Sequence, residues 1–89
     1  MNKSNNEVNL LPVIKKYLNR KLFEEDQIKF KQDFFKELFD PTGYINYSKW
    51  GTTFINAILQ EEGIPFLVEI YIDKISNNKE EKYWLICEI

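Results

Sequence analysis

Side chains that perform catalysis in most enzymes are scarce in this sequence. It has no histidine, the residue that most often serves as a general base or as a metal ligand. The single cysteine, Cys87, has no histidine to activate it and lies in an apolar strand pattern, where a thiol acts as a small core residue. The acidic residues include adjacent pairs, such as Glu61 and Glu62, whose side chains point apart on a helix or a strand. We therefore expect no catalytic residue, no metal site and no cofactor, and the protein is predicted not to be an enzyme.

Length and composition are typical of one small globular domain. The chain has 89 residues, of which 44% are hydrophobic and 16% aromatic, enough apolar material for a single core. We expect one domain over residues 1–89, with the polar residues 1–7 flexible. The sequence has no cysteine pair, no apolar signal segment and no run long enough to cross a bilayer. It is therefore predicted to be cytoplasmic, with no membrane partner.

The charge is unevenly distributed along the chain. Residues 1–36 carry eight Lys or Arg and five acidic residues, whereas residues 37–89 carry four Lys and nine acidic residues. Such an asymmetry can steer a charged partner, and the acidic half suits a basic protein, for example one that handles nucleic acid. An ordinary solvated surface explains the same pattern more simply.

Apolar residues at helical spacing predict three helices in the first two thirds of the chain. The first covers residues 10–22, with Asn9 as its cap and Pro12 in its first turn. The second begins at the acidic residues 24–26, and its wide apolar stripe predicts that it is the central helix.

The third predicted helix covers residues 48–62 and stops at Gly63. Its predicted apolar row consists of Trp50, Phe54, Ala57 and Ile58, with Ile55 and Leu59 beside it.

From Pro65 onwards the apolar residues alternate with a period of two, which predicts two antiparallel strands joined by a turn near residues 76–79. The fold class is therefore α+β: three helices followed by a C-terminal antiparallel β-hairpin, in two layers. A short third strand near residues 44–46 is a further option.

Two registers of the hairpin compete, because a shift of one residue turns every side chain of one strand to the opposite face. Pairing Ile70 with Trp84 places charged residues among the apolar ones on the inner face. Pairing Ile70 with Leu85 instead collects eight apolar residues on that face. The sequence therefore predicts the second register, which puts Tyr71 opposite Trp84 on the outer face.

An exposed Trp–Tyr pair surrounded by charged residues is typical of a protein-binding surface. We therefore predict a small protein-binding module that uses the outer face and edges of its hairpin. Such a module is an inhibitor, an immunity-type factor, or an accessory or adaptor protein of the kind found in phage and mobile elements. The partner is another protein, and a homodimer through the same surface is an alternative. The candidate binding residues are Leu67, Glu69, Tyr71, Asp73, Lys82, Trp84 and Ile86.

The order of three helices and a hairpin resembles that of winged-helix domains. The resemblance implies a nucleic-acid-binding protein that reads DNA with the 48–62 helix and uses residues 74–82 as its wing. A net charge of −2 opposes binding to a polyanion, so this alternative ranks below protein binding. Its candidate residues are Lys49, Thr52, Thr53, Asn56, Gln60, Lys74 and Lys79.

Overall fold

A computed structural model describes residues 9–38 and 51–89. Within these ranges the chain forms helices α1 (Leu11–Tyr17), α2 (Glu24–Leu38) and α3 (Thr52–Glu61), followed by strands β1 (Phe66–Ser76) and β2 (Lys79–Glu88). The strands pair as an antiparallel hairpin, so the predicted α+β class with a C-terminal hairpin is confirmed. The predicted strand at 44–46 and the predicted flexible segment 1–7 lie outside the described residues.

Helix α1 is shorter than its apolar spacing predicts. The side-chain oxygen of Asn9 accepts a hydrogen bond from the backbone N–H of Leu11, and Pro12 lies in the first turn. The helix ends at Tyr17, and Asn19 then adopts a left-handed conformation with φ 63°, which asparagine tolerates better than most residues. This turn ends the helix before the predicted boundary.

The segment after this turn reaches the outer edge of β2. Leu22 and Trp84 form an antiparallel bridge, in which each backbone N–H donates to the other residue's carbonyl at 2.9 Å. The side chain of Leu22 is fully buried, whereas its neighbours Lys21 and Phe23 lie against the opposite face, beside Tyr83. The sequence predicts helix at Leu22, so this bridge was missed.

One hydrophobic core joins the helices to the hairpin. Helix α2 contributes three phenylalanines. Helix α3 contributes Ile55 and Leu59, which were predicted beside its apolar row, whereas Phe54 and Ala57 of that row are exposed. Gly63 has φ 72°, a conformation that favours glycine, and it ends α3 as predicted.

The two strands pair in the register that the alternation of apolar residues disfavours. Ile70 lies opposite Trp84, not opposite Leu85, and Tyr71 therefore lies opposite Tyr83. The predicted register is wrong over most of the hairpin.

A bulge explains the difference between the two registers. The predicted register does hold at the pair that closes the turn, Ser76 and Lys79. Ile75 is then an extra residue in β1. From Lys74 back to Phe66, the pairing is shifted by one residue relative to the predicted register. A single inserted residue thus exchanges the two faces of one strand relative to the other.

The observed register still gives a well-packed core, because other elements cover only part of the inner face and the residues in that part are apolar. Trp84 and Ile86, 9% and 4% exposed, join Phe66 and Val68 in the core. Lys82, which argued against this register in the sequence, lies on an exposed part of the same face. A sheet face therefore needs apolar residues only where other elements cover it.

Candidate interaction surface on the hairpin

The hairpin consists of two parts that differ in burial. We call residues 66–69 and 83–88 the hairpin base and residues 70–82 the distal arm. The base contains five buried side chains: Phe66, Val68, Tyr83, Trp84 and Ile86. No side chain of the distal arm is buried, and Ile70 and Ile72 are 50% and 56% exposed. The arm thus leaves large apolar side chains in contact with solvent.

Along the distal arm the backbone of β1 presents an open edge. Both backbone groups of Trp84 bond to Leu22, so Trp84 exchanges no hydrogen bonds with Ile70, and the N–H and C=O of Ile70 point away from β2. The same alternation turns the backbone groups of Ile72 and Lys74 outward. In residues 9–38 and 51–89, these outward groups have no hydrogen-bond partner.

Helix α3 closes the same edge at Val68. The side-chain nitrogen of Asn56 donates to the carbonyl of Val68 at 2.9 Å, and its oxygen accepts from the N–H of Val68 at 2.8 Å. The amide side chain therefore satisfies both backbone groups, as a neighbouring strand would. We call residues 70–74, from the first outward residue after this cap to the residue before the bulge at Ile75, the free edge.

The outer face carries a cluster of aromatic and charged side chains at the boundary between base and arm. The rings of Tyr71 and Tyr83 stack at 5.9 Å between centroids, and Phe23 packs on Tyr83 at 5.6 Å. The hydroxyl of Tyr83 donates to Asp73 at 2.9 Å, and Lys21 bonds the same carboxylate. Burial, with the hydrogen bond to Asp73, raises the pKa of Tyr83. Tyr83 is therefore enclosed although it lies on the outer face.

Tyr71, on the same face, is held by two polar neighbours. Its hydroxyl donates to Glu69 at 3.0 Å and lies 3.8 Å from the Sγ of Cys87. The hydrogen bond with Cys87, followed by the one with Glu69, raises the pKa of Tyr71 to about 12. A phenol with this pKa is neutral near pH 7 and is a poor acid catalyst. These contacts orient the ring, which is 38% exposed.

The predicted protein-binding residues do not share one face. The outer face holds Leu67, Glu69, Tyr71 and Asp73, whereas the inner face holds Lys82, Trp84 and Ile86. The predicted exposed Tyr71–Trp84 pair is wrong, because Trp84 belongs to the core. Ile70 and Ile72 were not predicted as surface residues, because the predicted register places them on the buried face.

The predicted nucleic-acid-binding residues are also divided. Asn56 is occupied by the backbone of Val68, while Thr53 and Gln60 are exposed and Thr52 is half-buried. The two wing lysines, Lys74 and Lys79, are exposed on the distal arm, and Lys49 lies outside the described residues. Of the two amide side chains in this set, Asn56 is thus engaged within the protein and Gln60 is exposed.

Chemistry outside this surface is limited in the described part of the chain. Residues 9–38 and 51–89 contain no cluster of three or more His, Cys, Asp or Glu side chains that could hold a metal ion. No helix in these ranges is both long enough and apolar enough to span a bilayer. No family model, curated protein or solved structure gives a significant match to this chain.

Proposed function

We propose that this protein is a small, non-enzymatic protein-binding module whose contact surface is the distal arm. The observation that carries the proposal is the free edge, where Ile70 and Ile72 are about half exposed beside outward backbone groups. Globular proteins usually cover or blunt such an edge, because it is a template for another strand. An uncovered edge with apolar side chains favours binding by strand addition.

The outer face of β1 adds specificity to this surface. Tyr71 presents an oriented aromatic ring, and Glu69 and Asp73 flank it on the same strand. Aromatic residues with fixed orientation are frequent anchors in protein interfaces, because they bury large area at a small entropy cost. The surface therefore combines backbone pairing at the edge with side-chain contacts on one face.

The charge of the distal arm favours backbone and apolar contacts over steering by net charge. The arm carries three acidic residues and three lysines, namely Asp73, Glu80, Glu81, Lys74, Lys79 and Lys82. A basic or nucleic-acid-handling partner remains a prediction that depends on the wider acidic half of the chain. The specific roles of inhibitor, immunity-type factor or adaptor, the cytoplasmic location and the two-layer arrangement also remain predictions.

Capture from a lysate of the source organism, followed by binding measurements with the purified candidate, tests the proposal. The test variant is Ile72→Glu, which places a carboxylate on the free edge. Within the hairpin this carboxylate lies opposite Lys82, an oppositely charged side chain. The matched control is Ile28→Glu, the same change at a helix position that is 49% exposed.

We expect Ile72→Glu to weaken binding by about tenfold or more, which corresponds to about 1.4 kcal/mol, and Ile28→Glu to leave it unchanged. Both variants are first checked for unchanged secondary structure by circular dichroism. A partner that binds the two variants equally well contradicts a contact surface on the distal arm.

A further inference from the structure

We propose that the free edge pairs with the free edge of a second copy of this chain, antiparallel and about a two-fold axis at Ile72. This inference rests on the proposed function, because it names the partner of the distal arm. Its support is the spacing of outward backbone groups, the limits of the free edge and the placement of charges along it.

The free edge maps onto itself under a two-fold rotation. Only residues with outward backbone groups can form the new hydrogen-bonded pairs, and these are Ile70, Ile72 and Lys74. An axis at Ile72 places this residue opposite its own copy and Ile70 opposite Lys74 of the second copy. The cap by Asn56 limits the free edge on one side, and the bulge at Ile75 limits it on the other. The free edge is therefore centred on Ile72, and the rotation superimposes its two ends.

Charges select this register over its neighbours. Registers shifted by one residue are excluded, because they would pair outward backbone groups with residues whose own backbone groups point towards β2. One shift by two residues sets Asp73 opposite Glu69 of the second copy, and the other sets Asp73 opposite its own copy. Like charges directly opposite destabilise a strand pair, whereas the axis at Ile72 sets Asp73 opposite Tyr71.

The same register brings the exposed isoleucines together. Ile72 of one copy lies beside Ile72 of the other on the inner face, with each Ile70 at a diagonal position. Four half-exposed isoleucine side chains would thus form one apolar strip across the axis. Lys74, opposite Ile70, can lie along this strip and keep its ammonium in water.

The interface is short, so we expect a dimer in equilibrium with its monomer. Five residues of each strand take part, and interfaces below about 1,200 Å² of total buried area are typical of weak or transient complexes. Sedimentation must therefore be measured up to about 1 mM protein, where even a Kd of 1 mM leaves a large dimer fraction.

Sedimentation of charge variants gives the main test. Ile72→Glu and Ile72→Lys each place like charges opposite one another at the axis, and we expect each to raise the Kd by about tenfold or more. An equimolar mixture of the two variants places opposite charges at the axis, and we expect it to recover the dimer. The control Ile28→Glu should self-associate like the unmodified chain.

Wild-type protein that stays monomeric at about 1 mM overturns the inference. A dimer that persists in both charge variants also overturns it, because the interface would then lie elsewhere. Loss of a separate partner in Ile72→Glu, together with a monomeric wild type, leaves the proposed function standing and rejects only self-pairing.

Nuclear magnetic resonance on a mixture of labelled and unlabelled chains tests the register. We expect an intermolecular contact between the Hα atoms of Tyr71 and Asp73, because this pair exchanges no hydrogen bonds and its Cα atoms approach to about 4.5 Å. An intermolecular Hα contact between two copies of Tyr71 contradicts the axis at Ile72.

Discussion

The hairpin base and the distal arm are continuous in sequence and share one ladder, yet they differ in what covers them. In the base, the inner face carries Trp84 and Ile86 into the core, and Asn56 satisfies the edge of β1. In the distal arm, Ile70 and Ile72 continue the same inner face without being buried. A strand can thus serve the fold at one end and leave its edge open at the other.

The apolar residues of the two parts differ in how much burial they contribute to the fold. In the base, apolar side chains contribute through burial and tight packing. In the arm, comparable side chains remain half exposed, so they contribute less burial to the fold. The two parts should therefore respond differently to the same kind of substitution.

The largest effect is expected from truncating the core indole. Trp84→Ala removes a side chain that is 9% exposed, and we expect the free energy of unfolding to fall by about 3–5 kcal/mol. Ile72→Ala in the arm should change it by about 0.5 kcal/mol or less. Urea denaturation measures both. Equal losses in the two variants would erase the distinction between base and arm.

A smaller loss is expected where α3 caps the strand edge. Asn56→Ala leaves both backbone groups of Val68 without their side-chain partner, and we expect a loss of about 1–3 kcal/mol. Gln60→Ala, an exposed change on the same helix, should cost about 0.5 kcal/mol or less. If urea denaturation gives the two variants the same stability, the amide of Asn56 does not hold this edge.

The helical part should be sensitive to acid through one carboxylate. The hydroxyl of Tyr17 donates to Asp33 at 2.6 Å, and this bond, assisted by Lys16, lowers the pKa of Asp33 below its ordinary value of 3.8. A lowered folded-state pKa stabilises the protein above the ordinary value, and this contribution is lost as pH falls through the lowered pKa.

Removing that hydroxyl gives the corresponding test. Because Asp33 is about a third exposed, we expect Tyr17→Phe to cost only about 1 kcal/mol at pH 7. Urea denaturation at pH 7 and at a series of pH values below 3.8 should show this difference at pH 7 and its progressive decline in acid. A difference that is unchanged in acid would contradict the role of the ionised carboxylate.

The smallest effect concerns the boundary between base and arm. The pKa of Tyr71 is about 12, above the ordinary value of 10.0, and the hydrogen bond with Cys87 is its largest cause. The raised pKa favours the neutral phenol, so its contribution to stability is present below the ordinary value and is lost as pH rises through about 12. Site-resolved nuclear magnetic resonance titration should show a lower pKa of Tyr71 in Cys87→Ala. An unchanged pKa would show that the thiol is not its cause.

Local signals in the sequence were sufficient for the order of the elements. Pro12 and Gly63 mark a helix start and a helix end by their own backbone geometry, and the period of two marks the strands. The register could not be obtained in the same way, because one bulge residue, Ile75, reverses it without changing the alternation on either side. The bridge between Leu22 and Trp84 is a contact between distant segments, and no local pattern encodes it.

The predicted surface depended on that register, so its residues fall on different faces of the observed hairpin. The hairpin was identified as the region with unusual apolar exposure, but the residues assigned to its exposed and buried faces were exchanged at Trp84 and Ile72. A strand face that contains charged residues can still contribute to a core when those residues lie in the part that no other element covers. The length of covered strand is a property of the packed molecule, not of the strand sequence.

The close Hα contacts along the hairpin give the most direct test, because the division into base, distal arm and free edge follows from the register. We expect strong Hα–Hα contacts between Ile70 and Trp84 and between Ile72 and Lys82, the pairs that exchange no hydrogen bonds. Contacts between Ile70 and Leu85, or between Tyr71 and Trp84, would contradict the account. In that register the indole of Trp84 would lie on the outer face, and Ile70 and Ile72 would lie in the core.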